Sequence, residues 1–272
     1  MQYVDFICFL LPYTHASLVH RWLYEHVGIL HRDLSLNNIM CRIIKEMNSA
    51  GVREVKEVYG VLTDYDLSLW TASLTSDYTK TSQQRAGTPP FMARGLLNGT
   101  DSLHLYRHDV ESLFYVILIL VTRYEIETPE KGEDGGVRMR QGLKVLPYQS
   151  WFDQPSYEAL AAFKLGAIYN LKLRLDLSPT FEDFGCWLMK LRRSFSLGSL
   201  AKLGQLILEE DQTEESCGED TPAAFDDETL GGHVNYSALV GPVGDLKGRL
   251  EGLVIRYPPP PPTSAGAAKA NA

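Results

Sequence analysis

His31-Arg32-Asp33-Leu34-Ser35-Leu36-Asn37-Asn38-Ile39-Met40 sets a carboxylate, Asp33, and a carboxamide, Asn38, five positions apart in a segment flanked by apolar residues. Phosphoryl transfer uses such a pair: an aspartate accepts the proton of the attacking hydroxyl, and an asparagine oxygen helps hold the Mg²⁺ that neutralises the phosphates. The competing reading is a chance His-Arg-Asp tripeptide on an ordinary loop. Two later stretches weigh against it.

Val61-Leu62-Thr63-Asp64-Tyr65-Asp66-Leu67-Ser68 reads as a short buried strand running into an acidic turn. Asp64 in that turn is a second candidate metal ligand; its competing reading is a solvated turn aspartate. Gly87-Thr88-Pro89-Pro90-Phe91-Met92-Ala93 follows. The chain thus places a loop, an acidic turn and a Gly-Thr-Pro segment in that order.

The three stretches resemble parts of a protein kinase: the catalytic loop H-R-D-L-x-x-x-N, the metal motif D-F-G with Tyr65 in its aromatic position and Asp66 for its glycine, and the end of the activation segment. Together with Arg107-His108-Asp109-Val110-Glu111-Ser112 and the late Asp227-Glu228-Thr229-Leu230-Gly231-Gly232-His233-Val234, they resemble the fungal-type protein kinase family over roughly residues 15 to 240. The resemblance implies an α+β, protein kinase-like fold, here mainly the helical C-terminal lobe with a small β hairpin. It also implies ATP with Mg²⁺ as cofactors and a serine/threonine protein substrate. Asp33 would orient the acceptor hydroxyl, Asn38 and Asp64 would hold Mg²⁺, Arg32 would receive an activation-segment phosphate, and Thr88 would help place the substrate chain. His31 would be structural, and Asp109 would accept backbone hydrogen bonds from the catalytic loop. For Asp109 the competing reading is a helix N-terminal aspartate, favourable with the dipole.

The departures from that pattern are specific. Ser35 stands where many kinases carry a lysine, and Ala93-Arg94-Gly95 stands in place of A-P-E, without its clamping glutamate. No G-x-G-x-x-G turn and no V-A-I-K-type lysine precedes His31, and Lys45 and Lys56 follow it. The chain is therefore expected to be a kinase lobe lacking its N-terminal partner, weakly active or inactive alone, with a partner covering the exposed lobe face. Two other readings compete: a pseudokinase lobe that acts as a binding module, and a small-molecule phosphotransferase of the aminoglycoside or choline kinase type. Arg32 and the Gly87–Ala93 segment argue against the second of these.

The 272 residues suffice for one large core and a tail, and a net charge of −8 argues against non-specific nucleic-acid binding. The four scattered cysteines, Cys8, Cys41, Cys186 and Cys217, have no metal-ligand or redox spacing, which points to a reducing intracellular home, cytoplasmic or nuclear. The apolar runs Phe6–Leu11 and Leu113–Val121 are too short for the ~20 residues of a membrane span.

Hydrophobic spacing predicts a helix over 16–30, with Val19, Leu23, Val27 and Leu30 on one face and His20 and His26 as ordinary surface or packing histidines. Strands are expected over 39–44 and 55–62 as a hairpin, and a helix apolar nearly all round over 104–124. A further helix is expected over 157–171. Ser178-Pro179 opens another, whose apolar face is Phe181, Phe184, Leu188, Leu191 and Phe195. The segment 69–85, with candidate phosphate acceptors Thr79, Thr81 and Ser82, reads as a mobile activation segment. The four tryptophans read as core. Residues 1–208 are expected to form the lobe, 209–222 an acidic linker, 223–256 a family-specific extension and 257–272 a disordered Pro/Ala-rich tail.

Overall fold

The structure, a computed structural model, describes residues 2–47, 49, 53–74, 86–126, 137–140, 143–154, 156–170, 175–215 and 224–237. Helix α1, Gln2–Trp22, runs into one π turn, Leu23–Val27, and Gly28 closes it with φ 75°. Glycine reaches that left-handed conformation without a Cβ penalty, so the helix expected to reach residue 30 stops here. Leu30 lies instead in strand β1, Ile29–Leu30. The run Phe6–Leu11 belongs to α1, which begins fourteen residues before the expected start at 16.

Strands β2, Ile39–Met47, and β3, Arg53–Leu62, pair antiparallel with Ile39 opposite Leu62, and a register shift falls between Ile44 and Lys45. Both are longer than expected, since pairing continues into the polar stretch read as their turn. Strand β4, Leu69–Trp70, pairs with β1. Helix α1 lies against β3 so closely that a Cβ on Gly60 would stand 2.2 Å from the Pro12 carbonyl oxygen. The Gly60 N–H donates to His15 Nδ1 at 2.9 Å, so α1 also satisfies a backbone group of the strand.

A short helix α2, Arg94–Leu97, precedes α3, Tyr106–Arg123. Every residue of α3 is buried, which makes it the pillar of the core. Its N-terminus is held by His108: Nδ1 accepts the Leu105 N–H at 2.8 Å, and Nε2–H donates to Asp101 at 3.0 Å. Burial pushes the His108 imidazole down to about 3, in keeping with this neutral tautomer. Strands β5, Tyr124–Ile126, and β6, Val137–Met139, form a third small antiparallel pair that the sequence pattern does not announce.

Helix α4, Tyr157–Tyr169, is capped by the Ser156 hydroxyl, which accepts the Ala159 N–H. A 3-10 turn over Pro179–Phe184 leads into α5, Gly185–Glu215. Phe181, Phe184, Leu188, Leu191 and Phe195 are all buried, with Phe195 against Phe114 of α3 at 5.6 Å. Helix α5 continues into the acidic run read as a linker from residue 209. Trp151 and Trp187 are core, whereas Trp22 is half-buried and Trp70 is 55% exposed, contrary to expectation.

These elements make an α+β architecture, mainly helical with three two-stranded antiparallel sheets among the described residues. No helix among them is long and apolar enough to cross a membrane. Cys41 and Cys186 are free and exposed. The expected tail, the acceptors Thr79, Thr81 and Ser82, and Cys217 lie outside the described residues.

Leu118, 1% exposed at the middle of α3, tests the pillar. Leu118→Ala is expected to destabilise the protein by roughly 2–5 kcal/mol, the usual cost of a large-to-small core change. Denaturant unfolding measures it, and a change within a few tenths would show that this run is not core.

Candidate functional site

The hairpin brings two candidate metal ligands to one end. Asn38 immediately precedes β2, and Asp64 follows β3 by two residues. The Thr63 N–H donates to the Asn38 carbonyl at 2.9 Å, continuing the ladder one step past Ile39 and Leu62. Asp64 is exposed and adopts φ 63°, a conformation that Asp tolerates better than most residues.

Asp33 is held from both sides. Its Oδ1 accepts the Thr88 N–H and the Thr88 hydroxyl, each at 2.7 Å. Its Oδ2 accepts Asn38 Nδ2 at 3.0 Å, and the same amide donates to the Asp33 carbonyl at 2.8 Å. The Asn38 amide protons are thereby spent on Asp33, which leaves Oδ1 as the side chain's acceptor. Gly87 has φ 123°, and a Cβ there would stand 2.9 Å from the Arg32 carbonyl oxygen, so only glycine brings Thr88 this close to the loop.

The loop hangs from α3 through Asp109, a fully buried side chain. Asp109 accepts the His31 N–H at 2.9 Å and the Arg32 N–H at 3.1 Å. It also accepts His20 Nε2 at 2.7 Å and His104 Nε2 at 2.9 Å. Burial alone would raise the Asp109 carboxyl, but His104 and His20 beside it outweigh that and hold it well below the usual carboxylate range. His31 in turn reaches the acidic turn. Its Nε2–H donates to the Thr63 carbonyl at 2.9 Å, its Nδ1 accepts the Asp33 N–H at 3.3 Å, and its ring lies 4.9 Å from Tyr65. Burial lowers its pKa, consistent with a neutral ring that accepts at one nitrogen and donates at the other.

Arg32, at φ 69°, is half-buried and directs Nη1 toward the Leu67 carbonyl at 3.4 Å. The phosphate expected on Arg32 would come from residues 75–85, which lie outside those described.

The segment end that lacks a clamping glutamate is held by other residues. Glu111 Oε1 accepts the Arg94 N–H at 2.8 Å and the Tyr115 hydroxyl at 2.5 Å. Lys164, fully buried on α4, donates to the Met92 carbonyl at 2.5 Å and lies 3.9 Å above the Tyr115 ring. Burial pushes the Lys164 pKa well below that of a free lysine, with Glu111 opposing. Sequence reading missed His20, His104, Glu111 and Lys164. His20 corrects it outright: read as an ordinary surface or packing histidine, it is fully buried on the Asp109 carboxylate. The one available signal was an ionisable residue on the apolar face of a helix, and that does not identify its partner. His26 is exposed and stacks on Trp22, as a surface histidine does.

No group of three or more His, Cys, Asp or Glu side chains that could hold a metal occurs among the described residues. Two oxygen ligands, Asn38 Oδ1 and the Asp64 carboxylate, suit Mg²⁺, which takes one or two protein ligands and completes its shell with water and phosphate. Residues 12–121 match the family model for the fungal protein kinase. Neither the curated proteins nor the solved structures give a match. Asp33, Asn38, Asp64, Thr88 and Asp109 all fall inside the matched stretch, and over residues 12–121 the chain is similar to the fungal protein kinase family.

Proposed function

We propose that these residues carry the catalytic part of a serine/threonine protein kinase, which transfers the γ-phosphoryl group of ATP to a protein hydroxyl. The observation that carries this reading is the Asp33 carboxylate, fixed by Thr88 on one oxygen and Asn38 on the other, on a loop suspended from Asp109. Asp33 accepts the proton of the incoming hydroxyl and sets its direction. Thr88 couples that carboxylate to the segment over which the substrate chain lies. Asn38 and Asp64 hold Mg²⁺, which when bound neutralises charge on the phosphates. Arg32, beside the acidic turn, receives a phosphate from the activation segment.

No G-x-G-x-x-G turn and no V-A-I-K-type lysine precedes His31 in these 272 residues, the two features that grip the nucleotide from above in a kinase. Met40 and Val61 face each other across the hairpin and are exposed, as are Leu67 and Trp70 nearby in the chain. We take this apolar surface as the place where a partner, or a lobe that covers the nucleotide, rests.

Backbone NMR during titration of residues 1–272 with Mg²⁺ and ATP tests the reading. The amides of Asn38 and Asp64 are expected to shift, and Asp64→Ala is expected to abolish the response. A radiolabelled transfer assay on a generic protein substrate is expected to stay blank, because positioning supplies most of the rate in phosphoryl transfer. No response in the native chain, or a response unchanged by Asp64→Ala, overturns the metal assignment. Micromolar affinity with Asp33-dependent transfer overturns the incomplete grip.

A further inference from the structure

The family match ends at residue 121, yet residues 224–237 pack against the start of α3. Asp227 accepts Arg107 Nε through its carbonyl at 2.6 Å, and its Oδ1 accepts Arg107 Nη2 at 3.2 Å and Lys202 Nζ at 2.8 Å. Glu228 Oε2 accepts the Tyr106 N–H at 3.0 Å. The chain then turns sharply, with positive φ at Leu230, Gly231 and Gly232. The Gly232 N–H donates to the Thr229 hydroxyl at 2.8 Å, which ties the turn internally. Leu230, Val234 and Tyr236 are buried. The segment is therefore a hook whose shank is held by ions and whose tip is apolar.

The tip ends on the site. The Tyr236 ring lies 4.8 Å from Tyr106 and 5.8 Å from His20, with the Arg21 guanidinium over it at 5.7 Å. The Tyr236 hydroxyl is hydrogen-bonded to His20 Nδ1. The other nitrogen of His20 meets Asp109 Oδ2, the same oxygen that accepts the His31 N–H. Asp109 is a carboxylate, so His20 Nε2 carries a proton and donates, and in the neutral ring that proton is the single one. Nδ1 is then an acceptor, and the tyrosine hydroxyl is its donor. Burial raises the Tyr236 pKa well above that of a free tyrosine, so the hydroxyl keeps its proton.

We propose that Tyr236 is a positioning residue for the catalytic loop: its hydroxyl locks His20 in the tautomer that donates to Asp109, and Asp109 in that state holds His31 and Arg32 in place. It rests on the kinase reading only in that the loop so held carries Asp33. His20 is fully buried. Without the hydroxyl its Nδ1 becomes an orphaned buried acceptor. The imidazole then relieves that cost by rotating or changing tautomer, and either change withdraws the donor from Asp109 Oδ2.

The test uses the full 272-residue chain, its Tyr236→Phe variant, which keeps the ring, and Val234→Ala, which loosens the hook without touching the hydroxyl. In the native chain, nitrogen NMR of the His20 ring at pH 7 is expected to show a proton on Nε2 and none on Nδ1. In Tyr236→Phe, the His31 and Arg32 amides are expected to exchange with solvent roughly fivefold to tenfold faster relative to the Leu118 amide, the scale of one lost hydrogen bond. Val234→Ala is expected to leave that ratio unchanged. A native His20 protonated on Nδ1 overturns the proposal. So does an unchanged ratio in Tyr236→Phe, or the same change in both variants. None of these readouts requires phosphoryl transfer, so failure of the kinase reading shows in the Mg²⁺ and ATP titration and leaves this result standing.

Discussion

Asp33→Asn is expected to lower the phosphoryl-transfer rate by roughly 10²–10⁴, the usual contribution of a positioned acid–base group, in any form of the protein that transfers phosphate. The geometry explains why the loss should be chemical and not a loss of fold. An asparagine at 33 can still present one oxygen to the Thr88 N–H and hydroxyl, which now bind Asp33 Oδ1 at 2.7 Å. Its new NH₂ would face Asn38 Nδ2, a donor against a donor, where the carboxylate now accepts at 3.0 Å. That costs about one hydrogen bond, on the order of 1 kcal/mol. It removes the only charge within the set formed by Asp33, Asn38 and Thr88. Initial rates at saturating ATP, read beside a thermal melt, make the measurement. Full retention of rate with an unchanged melt takes Asp33 out of the mechanism.

Asp109→Ala is expected to be the most damaging substitution for stability, by roughly 3–5 kcal/mol, the cost of removing one partner from a buried charged set. Four donors lose their acceptor together: the His31 and Arg32 N–H groups, His20 Nε2 and His104 Nε2. His20, His31 and His104 are buried, so their donors do not recover a bond cheaply. Asp109→Asn should lose less, since one oxygen remains to accept while the amide faces the remaining donors. Urea unfolding of both variants gives the comparison. Equal stability of Asp109→Ala and the native protein would mean that the loop is held from elsewhere.

The elements that were legible in the sequence are those whose physics is local. A run apolar on every face from Leu113 to Val121 has to be a buried helix, and α3 is one along its whole length. Two runs rich in apolar and β-branched residues on either side of a polar stretch favour a hairpin, which sets Asn38 beside Thr63 and brings Asp64 next in line. The borders were less legible, because pairing and helix propagation extend past the residues that nucleate them. The hairpin lengthened, and α5 ran on into the charged residues up to Glu215. The partners of Asp109 were not legible at all. A histidine on an amphipathic helix looks the same in sequence whether it faces water or a carboxylate 89 positions later, as His20 does. The same holds for Lys164, which reaches Met92 across 72 positions to support a segment whose expected clamp is missing.

The Tyr236 bond to His20 spans 216 positions of chain. During synthesis the ribosome releases the catalytic loop early and the hook late, so in the meantime the loop exists without its final fastening. Contacts this distant are also slow to form, because loop closure must precede any return from them. Order in the loop is therefore a late event in folding, reached after the hairpin and α3 have formed. The nascent protein would carry a loose loop until residue 236 had emerged and docked, 216 positions after His20 was made.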